Sequence, residues 1–137
     1  MRTFFDSSAY AKRYVEEPGS QAVDTLCMAA TELALSIVCL PEIISALNRR
    51  VRDRALSPQH YEEAKEHLSE DIRDAVIVNL TPSVLSTCTA ILEASPVRAM
   101  DALHVACAVQ WGAELFVSAD KRQISAAKKA GLQTRFV

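Results

Sequence analysis

Four short apolar runs constrain this chain most, because none of them alternates with polar residues. They are "RTFF" (residues 2–5), "LALSIV" (33–38), "AVIVNL" (75–80) and "LFVSA" (115–119). A strand with one wet face alternates apolar and polar side chains, whereas a strand covered on both faces stays apolar throughout. Between the runs, apolar residues recur at spacings of three and four, as in Val23, Leu26 and Cys27, which is helical. Covered strands alternating with helices predict a three-layer α/β/α sandwich around a mostly parallel sheet. At 137 residues, with no Gly/Ser-rich linker, a single domain over 1–137 is expected.

The punctuation agrees. Ser7 or Ser8 reads as the N-cap of a helix over 7–17, Ser57 with Pro58 opens another, and Thr81 with Pro82 a third. Pro41 sits at a first helical position, and Gly112 and Gly131 close helices that begin near Arg98 and Asp120. "QTRFV" reads as a last edge strand. Cys27, Cys39, Cys88 and Cys107 are widely spaced among apolar neighbours, which suits reduced, buried thiols in a cytoplasm better than zinc ligands or a disulfide framework. No stretch reads as a membrane span or a secretion signal. A net charge of −2 rules out nucleic-acid binding by bulk charge and leaves only a local basic patch.

Ligands of open parallel sheets bind beyond the carboxyl ends of the strands, and acids cluster there. Asp6 follows the first strand and Asp120 follows "LFVSA". Glu42 lies in the first turn after "LALSIV", and Asp101 near the start of the helix bearing "DALHVACA". Each has an ordinary reading. Asp6 and Asp120 read as helix caps, Glu42 as a partner of the helix dipole, and Asp101 as a partner of Arg98. Convergence is what caps alone leave unexplained. Two carboxylates about 4 Å apart repel by roughly 4 kcal/mol at an effective dielectric near 20, so such a cluster protonates or binds a cation. Oxygen donors select Mg²⁺ or Mn²⁺, whose chemistry suits phosphodiester hydrolysis.

"FFDSSAYAKRY", "PEIISAL", "RAMDALHVACA" and "FVSADKRQISAAKKAGL" together resemble the PIN domain, most of all the VapC-type toxins of toxin–antitoxin modules. The resemblance implies a five-stranded sheet of order 3-2-1-4-5 and an Mg²⁺- or Mn²⁺-dependent endoribonuclease that cleaves RNA with activated water. It implies an acidic quartet of Asp6, Glu42, Asp101 and Asp120, with Asp6 and Asp101 as direct ligands. Ser8 and Ser118 match supporting hydroxyl positions. If Asp6 is a ligand, the cap role passes to Ser7 or Ser8. Lys12, Arg13, Lys121 and Arg122 flank the acids and are the candidate phosphate contacts. The "RRVRDR" arginines, His60 and His67 read as surface residues. His104, one helical turn after Asp101, reads as packed or locally bonded rather than ligating. The partners implied are RNA and a cognate antitoxin, whose C-terminal segment would lie in a groove near Tyr10, Tyr14, Leu26, Met28, Tyr61 and Leu68; a homodimer is also expected. The alternatives are a catalytically inactive PIN-fold binding module and an aspartyl-nucleophile phosphatase, whose pattern wants an acid where Ser8 stands.

Overall fold

The computed structural model describes residues 1–137. Five strands, β1 (Arg2–Phe5), β2 (Glu32–Ser36), β3 (Val76–Val78), β4 (Leu115–Ser118) and β5 (Gln133–Phe136), form one sheet. Its order is β3-β2-β1-β4-β5 and every pairing is parallel. Seven α-helices surround it: α1 (Ser7–Tyr10), α2 (Ser20–Ala29), α3 (Cys39–Arg52), α4 (Pro58–Asp74), α5 (Pro82–Ala94), α6 (Ala99–Trp111) and α7 (Lys121–Lys129).

The apolar runs explain the three layers. Successive strand residues point to opposite faces, so Phe4, Ala34 and Phe116 enter one core and Phe5, Leu35 and Val117 the other. The first core is closed by α5, α6 and α7, through Val84, Ile91, Val105 and Ile124. The second is closed by α1 to α4, through Tyr10, Val23, Ile43 and Leu68. Phe4 and Phe116 stack with ring centroids 5.9 Å apart. Each fully buried side chain of the size of Phe4, Phe5 or Leu35 contributes about 1.5–3 kcal/mol, so the central strands add substantially to both cores. Alanines 102, 106 and 108 on α6 are buried and let that helix lie close to its neighbours.

Ser57 and Thr81 cap α4 and α5 by accepting from the His60 and Val84 amides, and Gly112 ends α6 in the left-handed region at φ 79°. Three expectations change. The first helix stops at Tyr10 and a single 3₁₀ turn follows (Ala11–Arg13). Beyond it the chain folds back on Ser20, whose hydroxyl donates to the Val15 carbonyl and accepts from the Glu17 amide. The run "AVIVNL" pairs with β2 only over its middle three residues, because β3 is an edge strand with Val76 exposed. Helix α3 starts at Cys39, so Pro41 lies inside its first turn, where no amide donor is required. The four cysteines are unpaired, and three are buried. Burial pushes the Cys39 thiol up to about 12 and the Cys27 thiol up to about 11, which leaves both unreactive at neutral pH. No helix is long and apolar enough to cross a membrane.

Candidate metal centre

The carboxyl ends of β1 and β4 lie side by side, because Phe5 pairs with Val117 and the Asp6 amide donates to the Val117 carbonyl at 3.0 Å. Asp6 therefore emerges next to Ser118. Its side chain is 3% exposed. Oδ1 accepts from the Ala9 amide at 2.9 Å, and Oδ2 is 2.6 Å from Ser8 Oγ and 3.1 Å from Ser118 Oγ. Asp6 is thus the N-cap of α1, which corrects the assignment of that role to Ser7 or Ser8. Ser8 instead turns its hydroxyl onto the carboxylate and accepts from the Ala119 amide at 3.1 Å. Burial raises the Asp6 carboxyl above its usual range, against the opposing pull of Ser8, His104 and Ala9.

Asp120 caps α7, accepting at Oδ1 from the Arg122 and Gln123 amides at 2.8 and 3.3 Å. Asp101 stands in the first turn of α6. Burial and the nearby Asp120 charge raise its carboxyl, while Arg98, 88% exposed, approaches it at 3.6 Å. Asp101, Asp120, Arg98, Lys121 and Arg122 line one cavity of about 330 Å³ together with Pro96 and Val97. Two acids and three basic groups therefore share a single open site.

Glu42, in the first turn of α3, faces a different partner. Its Oε1 accepts from Ser7 Oγ at 2.7 Å and lies 2.5 Å from His104 Nε2. Burial works to raise the Glu42 carboxyl, but His104 and Ser7 outweigh it and hold it below the usual range. His104 is 2% exposed, and its Nδ1 has no partner. A carboxylate only accepts, so Nε2 donates to Glu42. As arranged, no three His, Cys, Asp or Glu side chains come close enough to hold an ion. Asp101 and Asp120 share the cavity, Asp6 does not line it, and Glu42 is turned onto His104.

The remaining candidates divide sharply. Lys121 and Arg122 reach the cavity. Lys12 and Arg13 do not: Lys12 Nζ donates to the Pro18 carbonyl at 2.6 Å and pairs with Glu17, and Arg13 pairs with Asp24 and Asp71. Of the groove residues, Tyr10 and Leu68 are core, and Met28 is 88% exposed. His60 and His67 are exposed on α4. One site residue escaped sequence reasoning. Gln123 is completely buried, with Oε1 2.7 Å from Ser118 Oγ and Nε2 donating to the Asp101 carbonyl at 3.1 Å. Its only sequence signal is a polar residue beside Ile124 on the inward face of α7.

The donor set suits a hard divalent cation. It is all oxygen, and Asp6 is a buried carboxylate with no ion-pair partner, an arrangement that is costly unless a cation compensates it. No curated protein matches the sequence. Solved structures do match the fold. The Mycobacterium tuberculosis toxin VapC20, described as cleaving the sarcin–ricin loop, is 17% identical with a TM-score of 0.69 over 95% of each chain. DNA-bound VapBC from Salmonella typhimurium is 12% identical with a TM-score of 0.71, covering 99% of this chain and 98% of that one. FitAcB from Neisseria gonorrhoeae is 15% identical with a TM-score of 0.71, covering 98% and 96%. The family profile described as the PIN domain matches residues 3–129, so the chain belongs to the PIN domain family.

Proposed function

We propose that the protein is a divalent-cation-dependent endoribonuclease, the toxin of a toxin–antitoxin pair. The observation that carries this reading is Asp6: a fully buried carboxylate with no basic side chain paired to it, at the sheet edge where Asp101 and Asp120 open onto a basic-rimmed cavity. Asp6, Asp101 and Asp120 would hold the cation, with Glu42 joining after release from His104. When bound, Mg²⁺ or Mn²⁺ would supply charge neutralisation and water activation at the phosphodiester. The chain's own residues do the rest. Lys121 and Arg122, with Arg98 beside them, hold the phosphate backbone over the acids. Ser8 and Ala9 fix the Asp6 carboxylate by hydrogen bonds, so little reorganisation is needed at the moment of reaction.

The test is RNA cleavage by the purified protein with Mg²⁺ or Mn²⁺. Cleavage should stop with EDTA and be lost in Asp101→Asn while the fold is retained. Cleavage that resists EDTA refutes the reading. A second reading, a PIN-fold module that binds without cleaving, draws support from Glu42 being committed to His104. Absence of Mn²⁺ binding by calorimetry would favour it. The similar fold of a solved structure described as a toxin–antitoxin complex from Klebsiella pneumoniae supports an antitoxin partner, and Leu85 and Leu92, exposed one heptad apart on α5, offer apolar surface for a homodimer. Co-expression with a neighbouring small reading frame, followed by light scattering, tests both.

A further inference from the structure

The Ser118 hydroxyl has one proton and two acceptors in reach. Gln123 Oε1 lies at 2.7 Å and Asp6 Oδ2 at 3.1 Å. Which one receives it depends on how the Gln123 amide is turned, and the Asp101 carbonyl decides that. Reversing the amide would set Oε1 against the Asp101 carbonyl oxygen, acceptor against acceptor. Nε2 must therefore face Asp101 and Oε1 must face Ser118. Gln123 Oε1 is the nearer acceptor and has no other donor, whereas Asp6 Oδ2 already accepts from Ser8, so the hydroxyl proton goes to Gln123, while the Asp120 amide occupies one lone pair of Ser118 Oγ at 3.0 Å. What Ser118 then turns toward Asp6 is a lone pair, not a donor.

We infer that Gln123 is a positioning residue that draws the Ser118 proton away from Asp6 and so keeps Asp6 Oδ2 open as a cation ligand. This rests on the metal-site reading of Asp6 given above. Oδ2 already accepts from Ser8. A second donor from Ser118 would fill its remaining lone pair and compete with a cation. With the proton held by Gln123, two oxygen acceptors face one another 3.1 Å apart, an arrangement that a cation relieves. The same side chain ties α6 to α7, because Gln123 stands on α7 and its Nε2 donates to the Asp101 carbonyl on α6. Partners that orient a ligating carboxylate are commonly worth 10–100-fold in metal affinity.

The test is Mn²⁺ titration by calorimetry on the full chain, with circular dichroism and melting curves to confirm folding. Gln123→Met frees the Ser118 proton for Asp6 and should weaken Mn²⁺ binding about tenfold or more. In a Ser118→Ala background the same Gln123→Met change should have no further effect, because the competing proton is gone. Gln123→Leu also removes the acceptor facing Ser118 and should weaken binding to the same extent. A purely structural glutamine would lower the melting temperature in both backgrounds and leave affinity alone. An unchanged affinity in Gln123→Met, or an equal loss in the Ser118→Ala background, overturns the inference. Should Gln123→Met fail to fold, an unchanged affinity in a folded Gln123→Leu overturns it instead. Absence of Mn²⁺ binding by the wild type overturns the metal-site reading itself, and this inference with it.

Discussion

Asp6→Asn should make the protein more stable at neutral pH, although both Asp6 oxygens accept hydrogen bonds. The amide can satisfy every present contact. Its Oδ1 keeps the Ala9 amide. Its Nδ2 donates to Ser8 Oγ, which is free to point its own proton at solvent, and to Ser118 Oγ, whose proton stays on Gln123. Only the buried charge disappears. Relief of a destabilised functional residue is commonly worth about 0.5–2 kcal/mol. A chain of 137 residues has an unfolding entropy of about 290 cal/mol/K, so each kcal/mol moves Tm by about 3.5 °C. Thermal unfolding at pH 7 without divalent ions should therefore place Asp6→Asn about 2–7 °C above wild type.

The stability gap between the two proteins depends on pH. Burial raises the folded-state pKa of Asp6 above its ordinary 3.8, so the folded state binds this proton more tightly than the unfolded chain. The destabilisation by the charged form is complete above the folded pKa. It fades as pH falls from that value toward 3.8. The Tm advantage of Asp6→Asn should shrink over the same window. Mn²⁺ should raise the wild-type Tm and leave that of the variant unmoved. A variant that melts below wild type at pH 7, or an advantage that does not change on acidification, refutes the account of Asp6 as an uncompensated buried charge.

His104→Ala removes a buried ring and the Glu42 contact and should cost about 2–4 kcal/mol in a denaturant melt. Glu42 is held below its ordinary 4.5, so its contribution is present above that value and lost as pH falls below it. The gap between wild type and His104→Ala should narrow there. In an Asp101→Asn background that blocks cleavage, Lys121→Ala and Arg122→Ala should each lower the slope of log affinity for single-stranded RNA against log salt by about 0.7. Arg13→Ala, whose guanidinium is committed to Asp24 and Asp71, should leave that slope unchanged and lower Tm instead.

The parts of the fold legible in the sequence were those set by local chemistry. Phe4–Phe5 and Phe116–Val117 are apolar on both faces, so a covered central pair was forced. The Ser57–Pro58 and Thr81–Pro82 openings fixed two helix starts to the residue. Strand β3 was less legible, because only pairing with Ala34–Ser36 decides which three residues of "AVIVNL" form the edge. The early end of α1 was hidden as well. It depends on Ser20 folding the chain back onto Val15 and Glu17, whereas residues 7–17 by themselves favour a longer helix.

The site shows the same division, with one lesson about rival readings. Asp6 and Asp120 invited a choice between helix cap and site acid, but the two jobs use different atoms. A cap needs one carboxylate oxygen, and Asp6 gives Oδ1 to Ala9 while Oδ2 stays at the sheet edge with Ser8 and Ser118. Asp120 likewise caps through Oδ1 while lining the cavity. Capping is what aims these acids, since a carboxylate anchored at a helix start can present its second oxygen in only one direction. Sequence distance misled for the bases. Lys12 and Arg13 are near Asp6 along the chain, yet Lys12 is tied to Pro18 before α2 and Arg13 to Asp24 on α2 and Asp71 on α4. Gln123 and Glu42 owe their roles to Ser118, Asp101 and His104, contacts that exist only after β1 and β4 have paired and α6 has docked.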